Sequence, residues 1–147
     1  MIAVLQRVRE ASVTVEATGH HARIGRGLCV LLAIEHGDTE QQADWMAKKL
    51  AQLRIFPDQQ EKMNRSVADI GGEVLLISQF TLVGECAKGN RPSFAKAAEP
   101  DLGRRLYDRV ARRMGSEHGL PVATGEFGAM MLLNLINDGP VTLIVRR

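Results

Sequence analysis

The chain is poor in most of the features that would announce a function quickly. It has two cysteines in 147 residues. Cys29 lies inside an apolar run and Cys86 in a loop-like stretch, so they do not form a disulfide framework, and both are expected as reduced thiols. The charge is nearly balanced, with 19 Lys and Arg against 17 Asp and Glu for a formal net charge of +2. That excludes a strong global field for gathering nucleic acid. The first residues, Met1-Ile2-Ala3-Val4-Leu5-Gln6-Arg7, bring a charge too early and an apolar run too short for a signal peptide or a membrane span. A cytoplasmic protein without a membrane partner is expected.

Conventional catalytic motifs are also missing. There is no Walker loop, dinucleotide fingerprint or nucleophile elbow. Gly25-Arg26-Gly27 lacks the third glycine and the following helix that a phosphate site needs, and reads as the beginning of a strand. His20 and His21 adjoin at a hairpin tip, while His36 and His118 stand alone, with no His or Cys at ligand spacing. No metal and no cofactor are expected.

What remains is an ordinary globular composition, 45% hydrophobic and 24% charged, at a length that suits one domain over residues 1–147. Residues 2–16 alternate apolar and polar, the period of half-buried strands, before a turn at Ala17-Thr18-Gly19-His20. A second strand runs through Ile24, and residues 27–34 are apolar enough for a central strand covered on both faces. Asp38-Thr39 opens a helix over 39–54, with Ala43, Met46, Ala47, Leu50 and Leu53 forming one buried stripe. Pro57 ends a short piece, residues 58–69 read as a surface loop, and a strand begins at Glu73. Pro100-Asp101 opens a second helix carrying Leu102, Leu106, Val110 and Met114, ended by Gly115 and Gly119. Strand pattern returns from Val122. Residues 130–136 are apolar on both faces, Asn137-Asp138-Gly139-Pro140 interrupts them, and 141–145 form a last short strand. Strands at both ends with two helices between them indicate an α+β domain with a largely antiparallel sheet.

Three groups of residues carry possible chemistry. Arg104, Arg105, Arg109, Arg112 and Arg113 line one side of the second helix, a solvated face or, if RNA is the partner, a phosphate-contacting stripe. Ser78-Gln79-Phe80-Thr81 holds hydroxyls where an apolar strand runs out. A Ser or Thr nucleophile needs a neighbouring base, and none stands nearby in sequence, so the main-chain amides are equally good candidates for holding an oxyanion. Gly139-Pro140 interrupts a strand pattern, which implies an edge, a bulge or a tight turn, with a cis bond as a further option.

Ser78-Gln79-Phe80-Thr81-Leu82 and Asn137-Asp138-Gly139-Pro140-Val141-Thr142 together resemble the two motifs of the D-aminoacyl-tRNA deacylase family. Gln6-Arg7-Val8, Lys88-Gly89-Asn90-Arg91-Pro92-Ser93-Phe94 and Thr124-Gly125-Glu126-Phe127-Gly128-Ala129-Met130-Met131 extend the resemblance over the whole chain. Residues 83–87 depart from it, reading Val-Gly-Glu-Cys-Ala where family members carry a small, often acidic stretch. The resemblance implies a barrel-like domain that forms a homodimer and hydrolyses D-aminoacyl-tRNA, with glycyl-tRNA as a further candidate substrate. In that picture the main-chain amides of Phe80 and Thr81 hold the ester carbonyl beside Ser78 and Gln79, and the terminal 2′-hydroxyl of the RNA assists attack. A cis Gly139-Pro140 step from the partner subunit rejects L-side chains. The resemblance also implies that Arg7 orients that step, that Phe80 lies near the terminal adenosine, and that Asn137 and Met131 support the site.

Overall fold

The computed structural model describes all 147 residues. Its organising element is β1 (Ile2–Val15), which pairs antiparallel with β3 (Gly27–Ala33) along its first half and with β2 (His20–Ile24) along its second. The register is the same in both halves, so β2 and β3 are one long return strand broken only at Gly25-Arg26. On the far edge of β1 lies β8 (Leu132–Arg146). The expected break at residues 137–140 does not divide β8. The strand runs through it, because the extra residues are taken up in a bulge and the pairing with β1 resumes beyond.

Beyond β3 the sheet continues with β6 (Glu73–Ser78) and β7 (Val122–Thr124), both added in parallel. Each parallel step is bridged by a helix, α1 (Glu40–Gln52) between β3 and β6 and α2 (Pro100–His118) between β6 and β7. The predicted helices are therefore present. Thr39 caps α1 with a capping box to Gln42. The second helix passes through Gly115 and ends at Gly119, whose φ of 64° suits a left-handed cap. Residues 58–69, read as plain loop, include β5 (Met63–Arg65), which forms a small hairpin with the preceding β4 (Phe56–Pro57), anchored by the fully buried Phe56.

Both faces of the central strands are covered, which is why they read as apolar throughout. Leu28, Val30, Leu32, Val74 and Leu76 meet the two helices in the main core. Cys29, Leu75 and Ile77 point the other way, into a smaller core with Val8, Val13 and Ile24. Burial pushes the Cys29 thiol up to about 11, so it stays protonated at neutral pH. The second core is enclosed as β2 curls toward β7. The imidazole Nε2 of His20 lies 2.9 Å from the Thr124 carbonyl, and the Thr18 hydroxyl donates to Glu126 at 2.9 Å, fastening a nearly closed barrel-like sheet.

The helices are tied by charge. Arg109 makes two bonds to the Asp44 carboxylate at 2.6 and 2.8 Å, and Arg113 makes two more at 3.0 and 3.2 Å. Arg109 also meets Glu40 at 2.8 Å. Two of the five arginines of the stripe are thus engaged along the helix pair. The Arg109 hydrogen bond, followed by that of Arg113 and their charges, pulls the Asp44 carboxyl from 3.8 down to about 2. A depressed folded pKa means this stabilisation is present above the unfolded value and is lost as pH falls from about 4 toward about 2. Because Asp44 is a third exposed, screening reduces the effect to about 1 kcal/mol. Denaturant midpoints of Asp44→Asn and wild type should converge across that window and differ above it.

Candidate active site

Strand β6 delivers Ser78 and Gln79 to the carboxyl edge of the sheet, where the Gln79 amide donates to the Leu32 carbonyl at 2.8 Å. The chain then tightens into a single 3-10 turn, residues Phe80–Val83. Its first closure is Leu82 N–H to the Gln79 carbonyl at 3.2 Å, so the amides of Phe80 and Thr81 precede every carbonyl of the turn within their reach. Phe80 and Thr81 border a pocket of about 470 Å³. Leu32, Ile34, Ile77 and Tyr107 form much of its wall, with Gly103 of α2 and the 127–131 segment closing the side opposite β6.

No His, Lys, Arg, Asp or Glu lines the pocket. Tyr107 is its one titratable group, and its hydroxyl donates to the Leu76 carbonyl at 2.7 Å while burial raises its pKa further. It is a poor base at neutral pH. The Thr81 hydroxyl accepts from the Gln79 side-chain amide at 2.6 Å and meets no group able to remove its proton. Phe80 is 58% exposed and packs edge-on against Phe94, with ring centroids 5.3 Å apart, so an aromatic pair stands at the mouth.

Gly139 and Pro140 are elsewhere, exposed in the bulge of β8, and their peptide bond is cis. Gln6 pairs with Thr142 and Val8 with Asn137, so β8 spends three more residues than β1 over this stretch. Arg7 fixes the offset. Its Nε donates to the Asp138 carbonyl at 3.0 Å and meets the Asp138 carboxylate at 3.1 Å, while Nη1 donates to the Ile55 carbonyl at 2.6 Å. The Asn137 side chain donates to the carbonyls of Arg7 and Val141 at 3.1 and 3.2 Å. A Cβ on Gly139 would stand 2.6 Å from Asn137 Oδ1, so a side chain there would push the Asn137 amide out of its place.

The family model described as D-Tyr-tRNA(Tyr) deacylase matches residues 4–146. The chain belongs to that family. A D-aminoacyl-tRNA deacylase of Geobacter sulfurreducens is 56% identical over 145 residues, covering 99% of this chain and 94% of the relative. One of Exiguobacterium sibiricum is 50% identical over 147 residues and all of both chains. Among solved structures, a c-Myc DNA Unwinding Element Binding Protein superposes with a TM-score of 0.90 at 39% identity, covering 100% of this chain and 99% of the other. A probable eukaryotic D-amino acid tRNA deacylase does so at 0.84 and 21% identity, covering 98% and 97%, which speaks for the fold alone.

Within this deacylase-family chain, Ser78, Gln79, Phe80, Thr81 and Met131 come together around the pocket, whereas Arg7, Asn137, Gly139 and Pro140 form a second cluster that contributes nothing to its own chain's lining. Sequence reasoning missed Gly103 and Tyr107, one helical turn apart on the inner face of α2, and Asp138, the anchor for Arg7. The Gly103 position carried a usable signal: a residue without a side chain beside an aromatic one on a buried stripe leaves room for a cavity.

Proposed function

We propose that this protein hydrolyses the ester joining a D-amino acid to transfer RNA, with the aminoacyl end in the pocket beside residues 78–81. The observation that carries this reading is a pocket with no side-chain base in its lining, bordered by Phe80 and Thr81, whose main-chain amides are not spent on bonds within the chain. An aminoacyl ester is already activated, so positioning and oxyanion stabilisation supply much of the rate. The amides of Phe80 and Thr81 hold the carbonyl oxygen of the ester as water adds to the carbonyl carbon, and the proton the water gives up balances the one taken by the leaving 3′-oxygen. The terminal 2′-hydroxyl orients that water, and the ester C–O bond breaks as the 3′-oxygen takes up a proton. Glycyl-tRNA, which offers only hydrogen at the chiral position, fits the same pocket.

Chirality is set by a second subunit. The bulge at Gly139-Pro140 is exposed and absent from its own chain's pocket, and Leu132, Ile136, Leu143 and Ile144 are exposed along the same strand. A homodimer covers this apolar edge and brings one bulge to the partner's pocket, where its carbonyls leave space for a hydrogen or a D-side chain and clash with an L-side chain. Rejection by a stiff backbone discriminates more strongly than a difference in apolar contact does. A stable, active monomer in sedimentation would contradict this arrangement.

The test is one aminoacyl-tRNA in its D- and L-forms, assayed with wild type and Thr81→Ala. Catalytic turnover of the D-form with the L-form spared is expected. Thr81→Ala keeps the amide and should retain activity within about threefold, since the hydroxyl has no proton-transfer role. Near-complete loss in a folded variant, or an acyl group trapped on Thr81 or Ser78, would favour a side-chain nucleophile. Absence of turnover would favour a binding protein.

A further inference from the structure

The cations of the surface are unevenly neutralised. On α2, Arg109 and Arg113 are spent on Asp44, and Arg104 lies over the Phe127 ring at 5.0 Å with its Nη2 on the Phe127 carbonyl. Arg104, Arg105 and Arg112 also form no ion pair, but only at the last turns of α1 do two cations share one ring. Here Trp45, the single tryptophan of the chain, holds the ammonium of Lys49 at 5.3 Å and the guanidinium of Arg147 at 5.2 Å from its ring centroid. Beside them a concavity of about 350 Å³ is lined by Trp45, Lys48, Lys49, Gln52, Leu53 and Arg54. None of these four cations forms an ion pair with a carboxylate, although ten ion pairs occur elsewhere in the molecule. Arg54 is held instead by a neutral partner, the Asn64 carbonyl, at 2.9 Å.

The arrangement fixes positive charge without cancelling it. An indole face attracts a cation through its quadrupole and leaves the net charge intact, whereas a carboxylate removes it. A half-buried tryptophan anchored in the main core therefore gives two flexible side chains a defined place. A surface of this kind suits a polyanion whose charges recur along a line, which the phosphate backbone of RNA supplies.

Its position also suits the substrate. Arg54 adjoins Ile55, whose carbonyl takes the Arg7 bond, and the same Arg7 holds Asp138 of the bulge. Arg147 directly follows β8, the strand that carries the bulge. The basic concavity is thus linked to the bulge at its Arg54 end, through Ile55 and Arg7, and shares no residue with the ester pocket of its own chain. We propose that Lys48, Lys49, Arg54 and Arg147, arranged around Trp45, form a phosphate-binding surface for the transfer RNA, contacting its double-stranded arm while the terminal adenosine occupies the partner's pocket. This rests on the deacylase reading and on the two-subunit site.

The test uses the full-length dimer carrying Lys48→Ala, Lys49→Ala and Arg54→Ala, all exposed positions, against two substrates: D-aminoacyl-tRNA and a D-aminoacyl ester of adenosine without the RNA arm. On tRNA the triple variant should raise KM about tenfold or more with kcat unchanged, and flatten the slope of log(kcat/KM) against log[salt] by about one per lost contact. On the adenosine ester it should match wild type, and its thermal midpoint should be unaltered. An unchanged KM and salt slope on tRNA would overturn the proposal, as would an equal loss on both substrates. If wild type cleaves neither substrate, the deacylase reading itself fails, a result distinct from both.

Discussion

Arg7→Ala is expected to lower kcat/KM on D-aminoacyl-tRNA by about a hundredfold or more. The side chain is only 12% exposed and joins three groups that no other residue joins: the Asp138 carbonyl, the Asp138 carboxylate and the Ile55 carbonyl. Charge-assisted bonds of this kind contribute about 1.5–3 kcal/mol each, and truncation also leaves partly buried acceptors unpaired. The bulge is then held by Asn137, through its bonds to the Arg7 and Val141 carbonyls, and by the exposed Arg9 at 3.7 Å from the Asp138 carboxylate, contacts the variant retains. If the bulge carries the chiral test into a neighbouring pocket, its displacement by even about 1 Å disturbs both attack geometry and rejection. The variant should therefore lose discrimination along with rate, seen as a shrinking D-to-L ratio. Arg7→Lys offers a point charge in place of a fork and should recover only part of the loss, about tenfold below wild type. Wild-type rates and selectivity in Arg7→Ala would detach the bulge from function.

Gly27→Ala is expected to be the most damaging single substitution for stability. A Cβ at Gly27 would lie 1.8 Å from the Glu73 carbonyl oxygen and within 2.8 Å of the Glu73 carbon and nitrogen, all of them backbone atoms. No rotamer change relieves that contact. Strands β3 and β6 must separate at their first pair, Gly27 with Glu73, in the same ladder whose other end seats Ser78 beside Leu32. A cost of about 4 kcal/mol, or a fall in thermal midpoint of roughly 10 °C, is expected. Gly115→Ala is the control, since its nearest neighbour is the Leu120 carbonyl at 3.8 Å and the residue lies within α2. Alanine there should be neutral or stabilising by up to about 1 kcal/mol. Equal midpoints for the two variants would mean that the close strand approach is not a constraint.

The contrast between these glycines illustrates what local sequence can convey. Gly25-Arg26-Gly27 was legible as the start of a strand, yet its reason, a parallel backbone 46 positions ahead in the chain, was not. Periodicity reports how a strand is buried and not the direction of its neighbour, so the two-sided burial of residues 27–34 and a strand from Glu73 are readable while the parallel crossovers over α1 and α2 are hidden. The arginine stripe failed as a uniform face for a similar reason. Asp44, which claims Arg109 and Arg113, lies 65 and 69 positions away and on another helix.

The site divides in the same way. Residues 78–81 stood out because hydroxyls followed an apolar run, and the pocket forms there. The rule that proline cannot donate to a ladder pointed to an edge, bulge or turn at Pro140, and the bulge is what occurs. What local reasoning could not supply was the continuity of β8 beyond it, because pairing with β1 resumes only through the register fixed by residues 2–6. The role given to Arg7 came from family resemblance, and its contacts with Asp138 and Ile55 provide the physical means.

The central claim is that main-chain donors and the substrate's own hydroxyl, with no side-chain base, perform the hydrolysis. Single-turnover cleavage of D-aminoacyl-tRNA ending in 2′-deoxyadenosine, with the amino acid on the 3′-oxygen, measures this most directly against the ribose form. The account predicts a rate lower by about a hundredfold or more with little change in binding, the size expected when one positioned hydrogen-bonding group is removed from a transition state. Equal rates for the deoxy and ribose substrates would contradict it.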